Sequence, residues 1–193
     1  MAAGHPRKFM RLKGKLCKAP TSLSATAFPH GGTALGTVAD ARFEFGIRGE
    51  EVHAEEFGSA VVDFIRAGDR AVFLCILREY DSDVVSTIFP NTVAGASSGK
   101  QKVVGRVSEA TTGATAVKAG ALASDNSVAL YLSPDSPEHH FGLYIPIAIP
   151  LVAESAALQF KVGVESGIAM VFHASPDSDG RLYELGLPED LNL

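Results

Sequence analysis

The chain of 193 residues suits one domain around one hydrophobic core and leaves little room for two independent cores. A composition of 46% hydrophobic and 20% charged residues excludes a disordered tail and a fibrous repeat. The formal net charge of -5 argues against a general nucleic-acid binder, because neutralising phosphates needs a broad positive face. With 19 glycines, 10 prolines and no tryptophan, the composition favours many short strands joined by turns.

The N-terminal residues 7–18 form a basic arm with six lysines and arginines and no carboxylate. Alternation over Lys8–Lys18 predicts a strand with one basic face, formed by Arg11, Lys13 and Lys15. Two interpretations stay open: the lysines protect a solvated edge strand, or they dock on an acidic partner. The partner we expect is an identical subunit. Its candidate carboxylates are Glu50, Glu51, Glu55 and Glu56.

The first half of the chain alternates apolar and polar residues over short stretches, which predicts strands. A loop is predicted over Pro20–Gly36, and turns at Gly49 and at Ala67–Asp69. The continuous apolar run Ala71–Leu77 predicts a central strand buried on both faces. The predicted strands are Arg42–Ile47, Glu50–Phe57, Ala60–Ile65 and Ala71–Leu77.

A short helix is predicted next. Asp81 or Ser82 can accept hydrogen bonds from the free N–H groups of its first turn, and Pro90 ends it. Its apolar face comprises Val84, Val85, Ile88 and Phe89. The long connection 92–126, rich in small residues, is predicted to be an assembly loop with one strand at Lys102–Val107.

The second half predicts further short strands and no second helix. Pro146 and Pro150 cannot donate to a ladder, so the strand that contains them is predicted to be an edge or an irregular strand. The predicted strands are Val128–Leu132, Phe141–Leu151, Leu158–Val162, Ile168–Phe172 and Arg181–Leu185. The chain is therefore predicted to be a single mainly β domain over residues 1–193, a β-sandwich or small barrel with one flanking helix.

Four groups of residues suggest chemistry, and each has a plainer explanation. A metal site at His139–His140 competes with a polar turn, since neighbours on a strand face opposite ways. Asp177, Asp179 and Gly180 echo the start of a calcium loop but lack its later ligands, which favours a turn. Gly31–Gly32 suggests a phosphate cradle or, more simply, a position of positive φ.

The two cysteines, Cys17 and Cys75, lie within strand patterns, where a buried inert thiol is the usual state. No GxSxG motif occurs, so no enzyme activity and no cofactor are predicted. No signal peptide is recognised, and the apolar stretch Leu143–Ala153 is too short to span a bilayer. We expect no membrane partner.

Two segments carry a family resemblance. Residues 55–90, EEFGSAVVDFIRAGDRAVFLCILREYDSDVVSTIFP, and residues 169–186, AMVFHASPDSDGRLYELG, resemble the tail tube proteins of long-tailed bacteriophages. The resemblance implies a β-sandwich with one flanking helix that forms hexameric rings stacked into a hollow tube. DNA would pass through the lumen without sequence-specific binding.

The resemblance further implies a virion protein, assembled in the bacterial host cytoplasm, with other tail proteins as partners. The connection 92–126 would correspond to the loop that contacts the next ring, and the basic arm to an inter-subunit element. Related folds leave other roles open: a tail terminator, a baseplate hub, or a decoration or adhesin protein. A small-molecule-binding β-barrel is the remaining alternative.

Overall fold

The computed structural model describes residues 14–23, 27–54, 60–78, 92–94, 101–103, 123–136, 140–152 and 167–193. These ranges contain nine strands and one short 3₁₀ helix at Ala123–Asn126. The strands are β1 (Gly14–Lys18), β2 (Thr33–Ala54), β3 (Ala60–Leu77), β4 (Thr92–Ala94), β5 (Gln101–Val103), β6 (Val128–Pro134), β7 (Gly142–Val152), β8 (Ile168–Ser175) and β9 (Glu184–Gly186).

Six strands close into an antiparallel barrel. Their order around it is β1, β2, β3, β8, β7 and β6, and pairing between β6 and β7 completes the ring. Strand β9 adds to β7, while β4 and β5 form a separate hairpin. The mainly β prediction is confirmed, as a closed barrel. The predicted helix around Val84–Phe89 lies outside the described residues, as does the strand at Leu158–Val162.

Alternate side chains from the six strands fill the barrel, as period two requires. Phe73 of β3 and Phe172 of β8 lie fully buried with ring centroids 6.2 Å apart. The predicted burial of Ala71–Leu77 is confirmed, since none of its side chains is exposed. Truncating one such aromatic to alanine typically costs about 3–5 kcal/mol. Leu16, Leu35, Leu77, Leu130, Leu132, Leu143, Ile145, Met170 and others complete this core.

The predicted turns at Gly49 and at Ala67–Asp69 are wrong. Strand β2 continues through Gly49, which pairs with Arg66, and β3 continues through Gly68, which pairs with Arg48. Ala67 is the extra residue of a bulge in β3. Glycine and aspartate signal both turns and bulges, and only the cross-strand partner decides between them.

Strand β7 is irregular but not an edge. It pairs with β6 on one side, and with β9 and then β8 on the other. Pro146 lies where these ladders change: the pairing with β9 ends at Tyr144, and that with β8 begins at Ile147. The missing N–H of Pro146 therefore falls in a gap between ladders.

Three boundaries differ from the sequence prediction. Strand β2 begins at Thr33, inside the predicted loop, and β9 begins at Glu184, because Arg181 belongs to the preceding turn. In the predicted assembly loop, β4 pairs with β5 through contacts such as Val93 with Lys102. Gly31 has φ of +75°, which confirms the backbone explanation for that glycine.

Candidate assembly surface

Strands β2 and β3 extend far beyond the barrel. Strand β1 pairs with β2 only as far as Thr37, and β8 pairs with β3 only from Val72 inward. Farther out, Arg42–Ala54 and Ala60–Ala71 pair with each other, and we call this two-stranded unit the ribbon. No other strand of the described ranges pairs with either edge of the ribbon. Its outer backbone groups are therefore available to another strand.

One face of the ribbon continues the barrel interior and is apolar. Phe43 lies opposite Phe73 of the core, and Phe45 and Ile47 follow on the same face of β2. Phe45 is 59% exposed and Ile47 is 68% exposed. Tyr183 packs on the base of this face, with ring centroids 4.7 Å from Phe43 and 6.0 Å from Phe45. We call this the inner face.

The opposite face, which we call the outer face, carries charged residues and glycines. Arg42 and Glu44 form an exposed ion pair of 2.9 Å at its base. Beyond them, Gly46 leaves a recess of about 210 Å³ beside Arg70. Ile65 lies nearer the ribbon tip and is 61% exposed. Both faces thus present apolar side chains to solvent, on an element whose strand edges are open as well.

The predicted interface residues fall on two separate parts of the molecule. Lys15 lies exposed on the barrel wall, with Nζ 5.5 Å from the Phe28 ring centroid. Glu50 and Glu51 lie exposed near the ribbon tip on opposite faces, and Glu51 forms an ion pair of 3.4 Å with His53. The structure does not bring Lys15 into an ion pair with either carboxylate. Arg11, Lys13, Glu55 and Glu56 lie outside the described residues.

The titratable groups buried in the barrel wall are not poised for nucleophilic chemistry. Desolvation by burial raises the pKa of both Cys17 and Cys75 to about 12. Burial, with a smaller contribution from Cys17, also raises the pKa of Tyr131 to about 12. Buried His30 packs its ring edge on Tyr131 and lies 2.8 Å from Oγ of Ser133 through Nε2. These residues belong to a small apolar cluster on the outside of the barrel.

The turn explanation for Asp177 is confirmed. Its carboxylate accepts hydrogen bonds from the backbone N–H groups of Asp179 and Arg181 and from Nε of Arg181. Both oxygens are thus engaged within the turn. The other candidate metal residue, His140, is partly buried next to the turn, and His139 lies outside the described residues.

Sequence reasoning missed the ribbon itself. The alternation of Phe43, Phe45 and Ile47 predicted inward-facing side chains, and only Phe43 contacts the core. A signal was present: β2 and β3 are each predicted as two strands of one alternating phase, with glycines between them. Two consecutive strands of equal phase are also the pattern of one long strand.

A scan against models of known protein families finds no match for this chain, and a search of curated proteins finds none. No helix of the described ranges has the length and apolar character that crossing a bilayer requires. The resemblance to tail tube proteins therefore remains a prediction, supported here only by what the ribbon and barrel make physically plausible.

Proposed function

We propose that the protein is a structural subunit that assembles with copies of itself into the rings of a phage tail tube. One observation carries the proposal: the ribbon exposes large apolar side chains and two open strand edges on an otherwise well-packed barrel. Monomeric proteins usually protect such edges with charge, bulges or covering segments. An identical subunit is the partner that a repeated, self-complementary element fits best.

Strand pairing between neighbours provides a route to a ring. The β3 edge of one ribbon and the β2 edge of the next can pair antiparallel under rotation about a common axis, because β2 and β3 are antiparallel within each copy. The inner faces, with Phe45 and Ile47, would then form one continuous surface. Repeating the contact closes a ring, for which the family resemblance gives six members, and stacked rings would leave a passage for DNA.

The barrel interior supports a structural role over ligand binding. Phe73, Phe172 and Tyr131 are among the largest fully buried side chains, and the first two occupy the barrel core. A ligand-binding barrel keeps interior space for its ligand. The recess on the described surface lies outside the barrel, on the ribbon.

Negative-stain electron microscopy of the purified protein tests the proposal. We expect rings at low concentration and tubes at high concentration. Single rings alone would favour a terminator or hub position in the tail, and virion proteins isolated from phage particles should include the chain. A uniform population of particles of about 20 kDa at every concentration would contradict the proposal.

A matched pair of variants separates assembly from folding. Ile47→Asp should abolish rings, because it places a charge on the surface that neighbours would cover. Ile47 is 68% exposed, so the free energy of unfolding should change by only about 0.5 kcal/mol. Leu193→Asp is the control, since Leu193 is 51% exposed but lies at the C-terminus. Equal assembly of both variants would remove the inner face from the interface.

A further inference from the structure

The outer face of the ribbon carries two dissimilar residue pairs at different heights. Gly46 lies directly opposite Arg70, and Glu50 lies directly opposite Ile65. Directly opposite residues share a face, and residues four apart on β2 do so too. All four are therefore on the outer face, with the second pair about 13 Å nearer the tip.

The lower pair forms a recess and the upper pair forms a projection. A Cβ atom at Gly46 would meet nothing within 4 Å, and the recess of about 210 Å³ is lined by Glu44, Gly46, Arg70 and Val72 together with Phe45. That volume corresponds to several water molecules, each of which occupies about 30 Å³ in the liquid. Glycine within a strand often marks the close approach of another chain. Ile65 is a branched aliphatic side chain, 61% exposed.

We propose that the occupant of this recess is Ile65 of a second copy, with Glu50 of that copy against Arg70. Consider two ribbons packed outer face to outer face and pointing the same way. In this arrangement β3 of one lies over β2 of the other. A shift of four residues then places Ile65 over Gly46 and Glu50 over Arg70 simultaneously. The inference rests on the proposed self-assembly and specifies a contact that the strand-edge pairing does not require.

The next level of the ribbon agrees with this placement. Moving two residues toward the tip along β2 brings Val52 of the second copy over Gly68 of the first, which is the other glycine on this face. A Cβ atom at Gly68 also meets nothing within 4 Å. Two aliphatic residues thus fall over two bare glycines in one register. Because the contact joins two different patches and includes a translation, it is open-ended, as stacking of rings needs.

Charge supports a second copy over a contact within one chain. Glu50 and Arg70 are both exposed, and within the described residues neither forms an ion pair. Their separation of about 13 Å along the ribbon prevents them from meeting in the same subunit. The offset contact pairs them between subunits and leaves the Arg42–Glu44 ion pair intact.

Disulfide trapping tests the register directly. The double variant Gly46→Cys with Ile65→Cys, oxidised at assembling concentration, should give a ladder of linked oligomers on a non-reducing gel. The two positions cannot bridge within one subunit, because a disulfide needs Cα atoms within about 7 Å. Cys17 and Cys75 are buried and stay reduced. Each single variant should remain unlinked.

Charge exchange provides the independent readout. Glu50→Arg or Arg70→Glu alone should raise the concentration needed for tube formation at least about tenfold at low salt, and the two together should restore it. Glu189→Arg, at an exposed position away from the ribbon, is the control and should have no effect. Tubes without a ladder, or charge variants whose effects add without rescue, would overturn this contact and leave the proposed function standing. A wild-type chain that never assembles would instead overturn the proposed function.

Discussion

Arg181 and Asp177 are joined at two points, by an ion pair of 2.9 Å between Nε and Oδ2 and by a backbone N–H that donates to Oδ1 over 2.8 Å. Arg181 also donates to Glu184 Oε1, and Oε2 of Glu184 accepts a hydrogen bond from the backbone N–H of Asn192. These contacts form a chain from the turn at Asp177 to the C-terminus. They fix the end of the protein next to β9.

The first prediction concerns pH and this C-terminal clasp. Desolvation alone would raise the pKa of the Asp177 carboxyl, but hydrogen bonds from Arg181 and Asp179 outweigh it and hold the pKa below its ordinary value of 3.8. A depressed folded-state pKa stabilises the fold above the unfolded-state value, and the stabilisation disappears as the pH falls through the folded-state value. The clasp should therefore hold at pH 5 and loosen only below about pH 4.

Hydrogen exchange of the C-terminal peptide measures this change. The wild-type peptide should be protected at pH 5 and lose protection toward pH 2.5, after correction for intrinsic exchange. Asp177→Asn should show low protection already at pH 5 and little further change on acidification. Identical protection of the two proteins at pH 5 would mean that Asp177 does not hold the clasp.

The second prediction concerns the two thiols. The thiolate is the reactive form, and a pKa of about 12 leaves on the order of 10³-fold less thiolate at pH 8 than an ordinary cysteine has. Native protein should therefore react with a thiol reagent very slowly, and two thiols per chain should react after denaturation. Replacing Cys75 with alanine assigns any remaining signal to Cys17. Rapid labelling of either native thiol would show that its strand is not buried as described.

Much of the barrel could be predicted because its strands bury one face and alternate. The run Ala71–Leu77 and the strand at Ile168–Phe172 lie where hydrophobic periodicity places them. The ends of β2 and β3 could not be predicted in the same way. Gly49 and Gly68 have the local signature of turns, and only long-range pairing makes them interior positions of a ribbon.

The candidate site was predictable only in part. Charge segregation pointed to Glu50 and Glu51, which do lie exposed on the ribbon. The apolar part of the site was not found, because Phe45 and Ile47 alternate like core residues and sequence does not tell which end of a strand leaves the barrel. The recess at Gly46 depends on its neighbour across the strand, which sequence does not specify.

The third prediction concerns the basic arm. Changing Arg11, Lys13 and Lys15 together to glutamate should leave the fold intact and reduce assembly at low salt, because repulsion from the acidic ribbon tip recurs at every subunit. Single substitutions should have little effect, since exposed pairs contribute about 0–1 kcal/mol each. A matched triple change to glutamine separates loss of attraction from repulsion. Assembly at the wild-type rate would make the arm a protected edge only.

The central claim is that the ribbon drives self-assembly, and shortening the ribbon tests it most directly. Phe45 and Ala71 lie directly opposite each other, so replacing residues 46–70 with Asn-Gly closes the hairpin in a two-residue turn and preserves the barrel. Sedimentation velocity over a concentration series should show the full chain shifting to large species. The shortened chain should remain a folded monomer throughout. A shortened chain that assembles as the full chain does would contradict the account.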